Sequence, residues 1–192
     1  MAFKEYDFDP RNLPQDMLEA IGLMTTCAAQ TENVVEMAIA CFLDIDVEYG
    51  QAVTTHMAMP LRFSVLLASA EIRIDDLDTL DELDNIIDTI EEAFKKRNGV
   101  VHYSWCRDPD TGQIFTVKDT ARTRVETSLI PMTVDQVKRE ALFVYQAGMS
   151  LMAFLMKCGF SQKLPPSDRF RGHKSKAARK KRREAKLRIG GA

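Results

Sequence analysis

The segment Arg97-Asn98-Gly99-Val100-Val101-His102 gathers the three side chains of this chain best suited to act on a phosphate. On a continuing helix Asn98 and His102, four residues apart, share a face, and Arg97 lies one position round, on the face of Val101. Imidazole as a class titrates near neutral pH, so His102 can take a proton from a ribose 2′-hydroxyl or give one to a leaving 5′-oxygen. Arg97 can hold a phosphate through paired N–H donors and stabilise charge that develops in the transition state, with the Asn98 carboxamide assisting. Such chemistry needs no metal and no other cofactor. It does need RNA, because DNA lacks the 2′-hydroxyl.

The hydrophobic pattern makes the placement of this group unusual. Leu83, Ile87, Ile90 and Phe94 recur at alternating steps of four and three, the seam of an amphipathic helix facing a packed partner. Arg97 takes the next seam position and Val101 the one after, so the apolar stripe continues on both sides of a permanent charge. The spacing predicts this helix from about Leu77 to Arg97, with acids at its start, Lys95, Lys96 and Arg97 at its end, and Gly99 as an end or kink. Two helices are predicted before it. A long one starts at Pro14 and reaches about Leu43, with Leu18, Ile21, Met24, Ala28, Val35, Ile39 and Phe42 inward. Glu32 and Asn33 interrupt its apolar side and could line the same cleft as the arginine. A second follows Pro60 and turns Leu61, Val65, Leu66 and Ile72 inward. Next come a hairpin candidate, His102 to Cys106 and Ile114 to Val117 around an Asp108–Gly112 turn, and a last helix capped by Thr133 and running to about Cys158. The expected fold is mainly α, a bundle of about four helices with a short β-hairpin inserted between the third and fourth.

Charge divides the chain in two. Residues 163–192 carry twelve Lys or Arg against Asp168 and Glu184, a balance of +10, which leaves −12 for residues 1–162 with their 14 basic and 26 acidic side chains. A helical domain over 1–162 and a basic tail over 163–192, of a composition expected to be disordered alone, follow from this. Lys174, Lys176, Arg179, Lys180, Lys181, Arg182 and Arg183 are the residues expected to meet an RNA backbone, although a solubilising role or an intramolecular contact with the acidic domain is the bland alternative. Cys27, Cys41, Cys106 and Cys158 are far apart and form no Cys-x-x-Cys pair, so they read as small core residues in a reducing compartment. The first ten residues lack the basic and apolar regions of a secretion signal, and the longest apolar run, Ala141 to Met156, is too short for a bilayer. A soluble cytoplasmic protein with no membrane partner is expected.

With its spacer of four residues and the polar Asn98 directly after the arginine, the segment resembles the Arg-x4-6-His motif of the HEPN superfamily, and the helical pattern from about Leu13 to Gly159 is similar to that fold. The resemblance implies a homodimer that brings two motifs into one cleft and cuts RNA to leave a 2′,3′-cyclic phosphate. It further implies a toxin or defence role, with an antitoxin or regulatory partner. Arg97 and His102 would be catalytic, Asn98 would assist, and Tyr103 could line the cleft. HEPN toxins paired with a minimal nucleotidyltransferase usually place a modifiable tyrosine two residues after the histidine; here Ser104 stands there, so control by that modification is not expected. The alternative is a non-catalytic module of the same fold that dimerises and binds nucleic acid or the ribosome; a third reading is a nucleotide-binding sensor. Other centres are weaker: His56 reads as a loop or helix-start residue, the acids from Asp75 to Asp84 as a solvated face without a calcium-loop pattern, and Ser64 and Ser69 as hydroxyls without a triad.

Overall fold

The computed structural model describes residues 5–121 and 125–163. Its elements are α1 (Gln15–Phe42), α2 (Val47–Thr54), α3 (Met59–Arg73), α4 (Leu77–Val101), β1 (Ser104–Arg107), β2 (Ile114–Ala121), β3 (Val125–Pro131) and α5 (Val134–Lys157). The bundle of four long helices with a β excursion before the last one is therefore present, and α2 is an additional short helix. Asp46 caps α2 by accepting a hydrogen bond from the Tyr49 amide.

The central helix is α1, whose buried residues run from Met17 and Ala20 through Met24, Ala28 and Val35 to Ile39 and Phe42. Its inward face is rotated at the start relative to expectation: Met17 is sealed, whereas Leu18 is 44% exposed. In α3 the inward residues are Phe63, Leu66 and Ala70, while Leu61 and Ile72 point to solvent. The seams of α4 (Leu83, Ile87, Ile90, Phe94) and of α5 (Val137, Ala141, Val144, Gly148, Leu151, Leu155) are buried as their spacing predicts. Contacts fix the directions. Glu36 meets Arg62 and Asp44 meets Arg73, so α3 runs parallel to α1. The pairing of Phe42 with Phe160, and of Thr31 with the Val144 carbonyl, sets α5 parallel to α1 as well. Lys157 bridges to Glu82, which makes α4 antiparallel to α5.

Two boundaries differ from expectation. α4 does not end at Arg97 or kink at Gly99; it runs to Val101, and the His102 amide donates to the Asn98 carbonyl as the helix cap. Lys95, Lys96 and Arg97 consequently lie at least a turn before the helix end, too far in for the macrodipole to account for them. His102 is a cap residue rather than the first residue of a strand, and Val100, not Val101, is the fully buried valine. The β excursion is also larger than a hairpin. It is a three-stranded antiparallel sheet in the order β1-β2-β3, with Cys106 opposite Phe115 and Thr116 opposite Ile130. Residues before α1 add a bridge at the free edge of β1, where Asp7 and Arg107 exchange backbone hydrogen bonds of 2.9 and 2.8 Å. No helix among the described residues is long and apolar enough to cross a membrane.

Candidate active site

Arg97 sits on α4 where the helix faces α1 and the beginning of α3. Its stem follows the core, with the guanidinium 6.0 Å from the Phe94 ring, and its side chain is only 20% exposed. Nη1 lies 3.1 Å from Asn98 Oδ1 and 2.6 Å from His102 Nε2. Nη2 lies 3.7 Å from Glu32 Oε1 on α1. Nε is buried and finds no hydrogen-bond partner among the described residues. The fork thus has donor capacity left over, held in place and unspent.

The contact with the imidazole has a direction. A guanidinium offers donors only, so the 2.6 Å approach is a hydrogen bond when Nε2 of His102 accepts, which places any proton of the neutral ring on Nδ1. Nε2 then carries the lone pair that a general base uses. The ring lies at the exposed end of α4, and the helix end beneath it is pinned by Trp105, whose Nε1 donates to the Val100 carbonyl at 2.9 Å. Tyr103 packs beside Gly99 without needing the glycine: a methyl group there would stand at ordinary van der Waals distance, 3.8 Å, from the Tyr103 ring.

Of the residues expected near the motif, Glu32 is there and Asn33 is not. Asn33 lines a different cavity, about 280 Å³, with Gln30, Met37 and Met152 on the α1–α5 side. One step along a helix turns a side chain through about 100°, enough to take Asn33 to a separate surface. A residue that sequence reasoning missed meets α1 at Glu36, one turn along from Glu32. Arg62 on α3 is buried, pairs with Glu36 at 2.9 Å and donates from Nε to the Met57 carbonyl at 3.0 Å. The same signal that singled out Arg97, a basic residue within an apolar helix pattern, marks Arg62 between Leu61 and Phe63. By clamping the first turn of α3 to α1, Arg62 holds Met59 and Pro60 opposite α4. Between them opens a cavity of about 440 Å³ bordered by Arg97 and Asn98.

The weaker candidates are settled by their surroundings. Ser64 and Ser69 donate their hydroxyls to carbonyls of their own helix, Pro60 and Val65 among them, and His56 is exposed. Burial pushes the thiols of Cys27, Cys41, Cys106 and Cys158 upward, away from the thiolate form a nucleophile needs. Of the basic tail only Lys163 is described; the stretch from Lys174 to Arg183 lies outside the described residues. The arrangement therefore offers one base, one carboxamide and one partly neutralised cation at a single helix end. Compared with known proteins, the chain matches no family model, no curated protein and no solved structure.

Proposed function

We propose that this chain is a metal-independent endoribonuclease of HEPN type. The observation that carries the reading is the contact of Arg97 Nη1 with both Asn98 and His102, with the Glu32 carboxylate against the same guanidinium. In the reaction His102 Nε2 takes the proton of a ribose 2′-hydroxyl, and the freed oxygen attacks the adjacent phosphorus. The bond from phosphorus to the 5′-oxygen breaks, the 5′-oxygen leaves with a proton from the imidazolium of a second copy, and a 2′,3′-cyclic phosphate remains. Arg97, drawn from the imidazole to the phosphate, stabilises the charge that accumulates on the non-bridging oxygens. The homodimer, the RNA-holding role of Lys174 to Arg183 and a controlling partner such as an antitoxin belong to the same proposal.

A direct test incubates the purified protein with total RNA in EDTA and maps the new ends. Cleavage with 2′,3′-cyclic phosphate termini, abolished in His102→Ala, is expected. RNA left intact at high protein, or cut equally by His102→Ala, overturns the proposal. One observation favours the non-catalytic module instead: Glu32, Asn98 and His102 already give the guanidinium partners, as a purely structural cluster would. That reading predicts uncut RNA together with a loss of thermal stability in Arg97→Ala.

A further inference from the structure

We infer that the cavity beside the motif is a nucleobase subsite that selects guanine. It lies between the first turn of α3 and the C-terminal half of α4, measures about 440 Å³, and so has room for a purine. Met59, Pro60, Phe63 and Phe94 supply apolar walls, and the two rings meet edge to face with centroids 6.5 Å apart. Phe63 and Phe94 are buried and form the floor, so Met59 and Pro60 supply the accessible apolar surface, which is indifferent to which base it meets. The selectivity comes from two other lining residues, Glu91 and Lys95, one turn apart on α4.

Among the described residues no hydrogen bond or ion pair engages Glu91 or Lys95, whereas the next pair along the helix, Glu92 and Lys96, bridge each other at 3.3 Å. A carboxylate accepts two parallel N–H donors, and an ammonium donates to a carbonyl oxygen. Guanine presents that set along one edge: N1–H and the 2-amino group for Glu91, O6 for Lys95. Adenine and cytosine set an amino group against the ammonium, and uracil sets a carbonyl against one carboxylate oxygen. Glu91 and Arg97 lie six steps apart along α4, a rise of about 9 Å, comparable to the reach of a nucleotide from its phosphate to the far edge of its base. A guanosine seated here thus leaves its phosphate at Arg97 and Asn98.

The position of the phosphate rests on the endoribonuclease reading, while the choice of base rests on the cavity. The experiment separates them. The full-length protein is titrated with the four nucleoside 3′-monophosphates by calorimetry, with the Met59 methyl resonance reporting occupancy of the cavity. Guanosine 3′-monophosphate is expected to bind at least about tenfold tighter than the others and to shift Met59. Glu91→Gln is expected to remove that preference, and Lys95→Gln to weaken guanosine binding while leaving the other three unchanged. Equal binding of all four, or an undiminished preference in both variants, overturns the inference. RNA cleaved without a guanosine at the cut overturns it too, and leaves the nuclease standing. Selective, Glu91-dependent binding by a protein that cuts no RNA supports the subsite and removes the nuclease.

Discussion

Glu32 and Glu36 stand one turn apart on α1, and each meets an arginine, yet the two pairs differ in what they hold. Arg62 is almost sealed, its side chain 9% exposed, and it meets Glu36 at 2.9 Å. Removing that carboxylate strands a buried charge, so Glu36→Ala is expected to cost about 3–5 kcal/mol in urea unfolding. The Glu32–Arg97 pair is longer, at 3.7 Å, and its side chains are 31% and 20% exposed. A pair so placed contributes about 0–1 kcal/mol to stability. On the endoribonuclease reading proposed above, its value lies in aiming the guanidinium. Glu32→Ala is therefore expected to unfold at nearly the wild-type urea concentration while its kcat on RNA falls about a hundredfold, the cost of a small misplacement at a reacting centre. Equal losses of stability in the two variants would show that both carboxylates merely hold the helices together. Arg97 was legible in the sequence because a charge on a hydrophobic seam is conspicuous, and Glu32 because it interrupts one. Their pairing was not, since it depends on how α1 and α4 are rotated about their axes.

At the scale of elements, two glycines behave in opposite ways. Gly99 looked like a helix end, but α4 continues through it because Val100 is fully buried and its carbonyl is satisfied by Trp105. A Cβ there would meet only the Tyr103 ring at 3.8 Å, so Gly99→Ala is expected to raise stability by up to about 1 kcal/mol. Gly148 marks a close approach of α5 to α1, where a Cβ would fall 2.6 Å from Thr31 Oγ1, a hydroxyl that already donates across the interface to the Val144 carbonyl. Gly148→Ala is expected to destabilise by about 1–3 kcal/mol, read as an earlier unfolding midpoint. The start of α4 adds a pH dependence. The hydroxyl and amide of Thr79 both donate to Asp76, the N-cap, and hold its carboxyl below its ordinary value. A depressed carboxyl stabilises the fold fully above the ordinary carboxylate range and loses that contribution as pH falls through its folded value. The gap in melting temperature between the wild type and Asp76→Ala should therefore be widest at neutral pH and close on acidification. Two elements escaped the sequence for physical reasons. α2 buries only Gly50 and Thr54, too few to show a helical period. Residues 126–131 of β3 are exposed throughout, so that strand is held by its ladder to β2 rather than by an apolar face.

Across the whole molecule, charge and motif are arranged along the bundle. The C-terminal ends of α1, α3 and α5 and the N-terminal end of α4 share one pole, tied by Arg73–Asp44 and Lys157–Glu82 contacts of 3.9 and 2.6 Å. The chain reaches Lys163 at this pole, where the ammonium meets Asp44 at 2.7 Å and the carbonyl accepts from the Val47 amide. Lys163 also holds the Asp44 carboxyl below its ordinary value. The motif lies further down α1, beside Glu32, twelve residues or about 18 Å away. The eleven steps from Lys163 to Lys174 can span at most about 40 Å, a length sufficient, on the proposed reading, for the basic run to meet an RNA strand that also occupies the motif of the same chain. Each phosphate neutralised on a single strand contributes about 0.7 to the slope of log affinity against log salt. Replacing Lys180, Lys181, Arg182 and Arg183 with glutamine in the full-length chain is accordingly expected to reduce that slope by up to about 3, while the cleavage rate at saturating RNA stays at the wild-type value. A slope that does not change would assign the basic run to the acidic domain rather than to RNA. A fall in the saturated rate would mean that these side chains reach the reacting phosphate itself, which the composition of the motif, with its own cation in Arg97, does not require.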